Sequence, residues 1–139
     1  MQAALDNELR LAVPMDARNL ADLRWRTWSY LAAAEVPGGM IEDILIALHE
    51  AVANSLRHSG ARADISVRVR AQPTKVVVEV SDNGRGIDPA VTVPPPAPGP
   101  LVEGGRGLFL IWSLMSSVWL GHHSGVHLVM VKELFPTTV

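Results

Sequence analysis

Glu50 and Asn54 are the first residues whose types and spacing could do chemistry. They lie one helical turn apart in a segment with helical periodicity, so their side chains share a stripe that His58 extends. A carboxylate can accept a proton, and an amide oxygen can ligate a Mg²⁺ ion that keeps waters and substrate phosphates. A solvated polar face explains the same stripe, although asparagine is a mediocre residue in mid-helix. Both interpretations stay open on this pair alone.

A second candidate is the run that follows a valine-rich segment, Asp82-Asn83-Gly84-Arg85-Gly86. Asp-Asn-Gly is good turn chemistry, so the run predicts at least a tight turn. The two glycines beside Arg85 would also let a ligand ring approach the backbone closely. Asp82 would then accept a hydrogen bond from an exocyclic amine. A plain turn and a binding loop are both compatible with these residues.

The third candidate precedes an apolar helical segment and reads Gly104-Gly105-Arg106-Gly107-Leu108. Glycines before a helix N-terminus expose backbone N–H groups to an anion, and the helix dipole favours the anion there. A flexible hinge is the alternative. The run is not a Walker loop, because no Gly-Lys-Ser/Thr follows it. It is also a poor Rossmann fingerprint, because no βαβ unit surrounds it.

Apolar periodicity defines the helices that must position these candidates. Asp16 is a suitable cap for a first helix, which Pro37-Gly38-Gly39 should end. Its inward stripe is predicted to be Leu20, Leu23, Trp28 and Leu31. The second helix carries Glu50 and Asn54 and should stop near Ser59-Gly60. Its apolar face is predicted to be Ile41, Ile44, Leu45, Leu48, Val52 and Leu56.

The strands complete a β-α-α-β-β-loop-α-β-β order. A short apolar run predicts a first strand at Leu9–Val13, and alternation predicts a strand through Ile65, Val67 and Val69. This strand forms a hairpin with Lys75–Ser81. A helix over residues 108–115 and strands over 118–120 and 126–134 follow. We therefore expect an α/β (α+β) two-layer sandwich with helices on one face of a mixed, mainly antiparallel sheet.

Composition narrows the function classes. The chain has 139 residues, of which 48% are hydrophobic, so one globular domain is expected. It has no cysteine, which excludes disulfides and thiolate metal sites. The net charge of −2 argues against direct nucleic-acid binding, and no apolar run has a membrane-spanning length. We expect a soluble, cytoplasmic protein, which could also be one domain of a longer regulator.

The order and spacing of the three candidates resemble the ATP-binding domain of the GHKL superfamily. The helix carries Glu50-Ala51-Val52-Ala53-Asn54, the hairpin ends in Asp82-Asn83-Gly84-Arg85-Gly86-Ile87, and the last helix starts at Gly105-Arg106-Gly107-Leu108. The resemblance extends from Leu9 to Leu134. It implies that residues 1–139 are a single histidine-kinase-like domain with an ATP lid at residues 89–103.

The resemblance implies a role for each motif residue. In the first motif Asn54 would bind Mg²⁺, Glu50 would polarise the attacking hydroxyl or water, and Arg57 and His58 would border the phosphates. In the second motif Asp82 would accept from the adenine amino group. The remaining nucleotide-binding residues would be Gly84, Gly86, Ile87, Gly104, Gly105, Arg106, Gly107 and Leu108.

The resemblance also implies a function. The compact domain and the run from Gly105 to Ile111 are similar to the serine kinases that act as bacterial anti-sigma factors. These would use ATP and Mg²⁺ to phosphorylate a small STAS-type anti-anti-sigma protein, and would also bind a sigma factor. The run Arg57-His58-Ser59-Gly60-Ala61 is more similar to some sensor histidine kinases, so the catalytic domain of such a kinase is an alternative. A binding-only regulatory module is another.

Two sequence features modify this expectation. Family members usually carry a Gly-Thr pair on the last strand, whose hydroxyl helps to hold adenine, and Val126 takes the place of that threonine. Prolines make the lid segment stiffer than a glycine-rich one. A homodimer also remains open. If Trp25 and Trp28 are exposed, the first helix is the best candidate for a dimer or partner face.

Overall fold

A five-stranded antiparallel sheet forms one layer of the protein. The computed structural model describes residues 7–58, 64–84, 94, 106–121 and 125–135. The strands are β1 (Leu9–Val13), β2 (Ile65–Ala71), β3 (Lys75–Ser81), β4 (Ser117–Gly121) and β5 (His127–Glu133). Their order is β1-β2-β3-β5-β4. Every pairing between these described strands is antiparallel, which agrees with the mainly antiparallel sheet that was expected and adds no parallel pair to it.

The alternation of residues in β2 and β3 determines which face of the sheet is covered by the helices. In β2 the side chains of Ile65, Val67 and Val69 are buried, and those between them are exposed or half-buried. The register pairs Val67 with Val80 and Val69 with Val78, so the buried residues of β2 and β3 share one face. Because side chains alternate with a period of two, this face is apolar and the opposite face carries the charges. The predicted hairpin is confirmed.

Three α-helices form the second layer. They are α1 (Leu20–Ala33), α2 (Gly38–His58) and α3 (Arg106–Leu114), and a short 3₁₀-helix (Ala17–Asn19) precedes α1. Helix α2 contacts both other helices and also β3 and β5, so it is central. Its predicted apolar face is confirmed by the burial of Ile41, Ile44, Leu45, Leu48 and Val52. Within the described ranges, no helix combines the length and apolarity needed to cross a membrane.

The connection between α1 and α2 differs from the prediction. Helix α1 already ends at Ala33, and Glu35 takes a φ of 62°, which non-glycine residues seldom adopt. The carbonyl of Pro37 accepts hydrogen bonds from the N–H groups of Met40 and Ile41 at 3.0 Å. Gly38 and Gly39 therefore lie in the first turn of α2 and do not end α1. A proline is well suited to this position, because its missing N–H costs no helical hydrogen bond before the first turn while its carbonyl accepts these two bonds.

Trp25 and Trp28 stack at the surface of α1. Their ring centroids are 5.8 Å apart, and they are 61% and 45% exposed. The prediction that Trp28 faces inward is wrong, because the inward stripe runs through Leu23, Thr27 and Leu31 at four-residue spacing. Buried Thr27 fits there since its hydroxyl donates to the carbonyl of Leu23 at 2.8 Å. The exposure of both tryptophans meets the condition set above for a partner face.

An ion-pair cluster lies on the face of the sheet away from the helices. The Glu8 carboxylate accepts from Arg68 and, at 3.2 Å, from Arg10. Arg68 also reaches Glu79 on β3 at 3.4 Å. Arg10 and Arg68 are paired across β1 and β2, so two like charges share one carboxylate. The hydrogen bond from Arg68, followed by that from Arg10, lowers the pKa of Glu8 from its ordinary 4.5 to about 2.

We expect this cluster to make stability depend on acid pH. A carboxylate whose pKa is lower in the folded state stabilises the fold fully above its unfolded pKa, near 4.5 for Glu8. That contribution should be lost as the pH falls from there towards 2. The melting temperature of wild type should therefore exceed that of Glu8→Gln at neutral pH, and the gap should narrow below pH 4.5. A gap that is constant across this range in thermal unfolding would contradict the prediction.

Candidate functional site

The polar stripe of α2 forms one wall of the candidate site. Glu50 and Asn54 are both half-buried, four positions apart within the helix. The amide oxygen of Asn54 accepts a hydrogen bond from the Arg57 guanidinium at 2.9 Å. The stripe is therefore not the plain solvated face that the sequence left open. It is a half-buried pair of oxygen-bearing side chains with a cation beside it.

The first turn of α3 lies directly against this stripe at Gly107. A β-carbon built on Gly107 would lie 2.7 Å from Oε1 of Glu50 and 3.6 Å from both amide atoms of Asn54. A side chain at this position would displace the Glu50 carboxylate, so glycine leaves that carboxylate where it stands beside α3. The positive end of the α3 dipole thus lies beside the carboxylate and the amide.

Asp82 forms the other end of the site, immediately after β3. Its side chain is buried, and Oδ1 accepts from the N–H groups of Gly84 at 2.9 Å and Val126 at 3.2 Å. Oδ2 accepts from the hydroxyl of Ser55 at 2.6 Å. A carboxylate offers about four lone-pair directions. These three bonds leave Oδ2 able to accept one further donor.

Gly125 makes the approach of β5 to Asp82 possible. Its φ is 119°, and a β-carbon there would lie 2.1 Å from the carbonyl oxygen of Asp82 and 2.9 Å from Cα of Asn83. Both neighbours are backbone atoms, so neither can rotate away. The closeness lets Val126 accept from the N–H of Asp82 at 2.9 Å while donating to its carboxylate. At the position where a threonine hydroxyl was expected, the chain supplies backbone groups.

Lys132 holds the far end of α3 against α2. Its ammonium donates to the Asp43 carboxylate on α2 at 2.9 Å and to the carbonyl of Leu114, the last residue of α3. A cation at a helix C-terminus is favoured by the helix dipole. Lys132 is on the helix-facing side of β5, since it pairs with buried Val76. The contact links the C-terminal end of α3 to α2 and β5, whereas the N-terminal end of α3 lies near Glu50.

The structure brings together most of the described residues that the sequence predicted. Glu50, Asn54, Arg57 and Gly107 meet at one end, and Asp82 and Gly84 at the other. Arg106 begins α3 and is exposed, and Leu108 packs against the core. The side chain of His58 lies outside the described part, as do Gly86, Ile87, Gly104 and Gly105 and, apart from Pro94, the predicted lid at residues 89–103.

Ser55 is the site residue that the sequence interpretation missed. It follows Asn54 on α2 and is 5% exposed, with its hydroxyl on Asp82. A signal was present, because Ser55 lies three positions after buried Val52 on the otherwise apolar face. A buried polar group needs a partner, so one such serine indicates a contact from another element.

The arrangement has two chemically different ends. The carboxylate of Glu50, the amide oxygen of Asn54 and the N-terminus of α3 suit a hard cation together with phosphate oxygens. The buried carboxylate of Asp82 suits a donor such as an exocyclic amine on a ring. Ser55 and Asn54 are neighbours on α2, so one helix joins both ends. A ligand with phosphates at one end and an amino-bearing base at the other matches this site.

Comparisons with known proteins agree with this geometry. Residues 13–132 match the family described as histidine kinase-like ATPase domain. A serine-protein kinase RsbW of Listeria monocytogenes is 38% identical over 104 residues, covering 68% of this chain and 66% of the relative. A serine-protein kinase RsbW of Staphylococcus aureus is 30% identical over 137 residues, covering 91% and 86%. The chain thus spans just under two thirds of the Listeria protein.

A solved structure shares the fold. It contains the RsbU and RsbW domains of Rv1364c from Mycobacterium tuberculosis, with a TM-score of 0.71 and 19% identity, covering 93% of this chain and 33% of that one. The names of the two sequence relatives favour the serine kinase interpretation over the sensor histidine kinase and the binding-only module. With 120 contiguous residues matched, from 13 to 132, the chain belongs to the histidine kinase-like ATPase domain family, as a relative of the serine-protein kinases RsbW.

Proposed function

We propose that this protein is an ATP- and Mg²⁺-dependent serine/threonine protein kinase that also acts as an anti-sigma factor. One observation carries the proposal: Gly107 at the start of α3 lies so near Glu50 and Asn54 on α2 that a β-carbon built on it would be 2.7 Å from the Glu50 carboxylate and 3.6 Å from the Asn54 amide. This proximity joins a proton acceptor, a metal-binding amide and an anion-binding helix terminus in one place. The serine kinase names of the relatives support the choice of acceptor.

The donor set at the phosphate end fits Mg²⁺. The ion prefers oxygen ligands and keeps several waters, so it is usually held by one or two protein groups plus phosphates. Asn54 would supply its amide oxygen, which already accepts from Arg57 and has a second lone pair. When bound, the ion would neutralise charge on the phosphates. Arg57 would then turn from Asn54 towards the same phosphates, because two cations repel each other at one oxygen.

Asp82 would hold the base. Its free lone pair on Oδ2 would accept from the amino group of adenine, and Gly84 would let the base lie against the loop. The phosphates would run from there along α2 towards Gly107. The N–H groups of α3 and the side chain of Arg106 would offset the negative charge.

Glu50 would act on the acceptor. Its carboxylate would take the proton of a serine hydroxyl as that oxygen attacks the γ-phosphorus and the bond to the β-phosphate oxygen breaks. Most of the rate would come from positioning and electrostatics. The acceptor would be a small STAS-type anti-anti-sigma protein, and its phosphorylation would break the complex, freeing the kinase to bind a sigma factor.

We expect calorimetric titration with Mg²⁺–ATP to separate the two ends of the site. Asp82→Asn should weaken binding about 10- to 100-fold with or without metal, since an acceptor of the base is replaced by a donor. Asn54→Ala should weaken binding only when Mg²⁺ is present. Asn83→Ala removes an exposed side chain beside Asp82 and should bind like wild type. No binding by wild type, or equal binding by all variants, would refute a nucleotide site here.

A further inference from the structure

Ser55 holds the base-recognising carboxylate from a different layer of the fold. Its hydroxyl donates to Oδ2 of Asp82 at 2.6 Å across 27 positions of sequence, from α2 to the end of β3. Both side chains are buried. A serine within a helix commonly bonds a carbonyl one turn back, as Ser113 does to Phe109 at 2.8 Å. The bond to Asp82 therefore departs from the usual local partner.

The three donors fix both carboxylate oxygens of Asp82. Gly84 and Val126 donate to Oδ1, and Ser55 alone donates to Oδ2 among the described residues. Without Ser55 the carboxylate would be held at one oxygen only, and any tilt about its terminal torsion that the bonds to Oδ1 tolerate would displace Oδ2. The energy wells of this terminal torsion are broad, so of the three donors only Ser55 restrains the direction of Oδ2 itself.

We propose that Ser55 is a positioning residue for base recognition, which aims Oδ2 of Asp82 at the 6-amino group of the purine. The inference rests on the nucleotide site proposed above and adds a selectivity determinant to it. The hydroxyl hydrogen is used on Asp82, so the pair presents only acceptor lone pairs to a ligand. An acceptor-only pair favours a purine with an amino donor over one that lacks it.

The test is a thermodynamic cycle in which the serine hydroxyl and the amino group of the ligand are removed separately and together. Affinities are measured for ATP and for purine riboside triphosphate, which lacks the 6-amino group, on wild type and Ser55→Ala. We expect Ser55→Ala to weaken ATP binding about tenfold and to leave purine riboside triphosphate within about twofold, because the hydroxyl acts through the amine contact. Ser55→Cys should behave like Ser55→Ala, since a thiol is a weak donor.

Thr27→Val is the matched control. It removes another buried hydroxyl of a helix, one bonded within α1 and remote from Asp82 in the hydrogen-bond network. It should change the melting temperature without changing the ratio of the two affinities. If Ser55→Ala binds ATP as wild type does, or weakens both nucleotides equally, the positioning role is refuted. If wild type binds neither nucleotide, the proposed function itself fails.

Discussion

Glu50→Gln should reduce phosphoryl transfer to a STAS-type acceptor about 10²- to 10⁴-fold, the usual contribution of a general base. Glutamine keeps the size and shape of glutamate, so the packing of α3 near residue 50 and the binding of ATP should be preserved. The loss should therefore be in kcat, because the missing group acts only when the acceptor proton moves. The measurement is single-turnover transfer from γ-labelled ATP, with acid-stable label counted as phosphoserine.

Glu42→Gln is the control for this prediction. Glu42 is an exposed acid near the start of α2, 4.0 Å from Arg24, and its replacement should leave transfer unchanged. Transfer by Glu50→Gln at the wild-type rate would remove Glu50 from the mechanism. Label that is lost in acid would indicate a phosphorylated histidine and would favour the sensor histidine kinase alternative.

Gly125→Ala should have the largest effect on stability. The new β-carbon would lie 2.1 Å from the carbonyl oxygen of Asp82, and an alanine would have to take a φ of 119°. Backbone strain and overpacking each cost about 1–3 kcal/mol, so the free energy of unfolding should fall by roughly 2–6 kcal/mol. That is a large part of the total free energy of unfolding of a domain, which is roughly 5–15 kcal/mol. Chemical denaturation measures it directly.

Gly39→Ala tests whether the loss of stability is specific to position 125 or follows from any glycine-to-alanine substitution. Gly39 lies in the first turn of α2, and a β-carbon there would meet nothing within 4 Å. Alanine is the better helix former, so this variant should be as stable as wild type or more stable by up to about 1 kcal/mol. Equal stability of Gly125→Ala and Gly39→Ala would show that Asp82 and Gly125 are not in close contact.

Much of the fold was predictable because apolar residues at helical or strand spacing fall on one face of the element, and that face is the one buried in the core. The valines of β2 and β3 and the apolar face of α2 are buried where their spacing required. Boundaries were less predictable where one residue has two uses. Gly38 and Gly39 can end a helix or lie in a first turn, and the sequence does not record that the carbonyl of Pro37 accepts there.

The candidate site likewise contains residues that the sequence predicted and residues that it did not. Glu50, Asn54 and Asp82 were predictable because carboxylate and amide groups at fixed spacing indicate chemistry directly. Ser55 and Lys132 were not, because their roles depend on partners 27 and 89 positions away. Both contacts join α2 to the sheet and follow from the packing of this helix against β3 and β5. That packing is a property of the folded chain rather than of any local pattern.

The two hydrogen bonds between Asp82 and Val126 have a consequence for the stage of synthesis at which the proposed site can be complete. The two residues are 44 positions apart, and their contact requires β5 to pair with β3. Among the described donors to the Asp82 carboxylate, Val126 is the last in the chain, so the full set of hydrogen bonds cannot form before residue 126 has been synthesised. Contacts of long sequence separation form late in folding. We therefore expect the nucleotide site proposed above to become complete only when β5 has docked on the sheet.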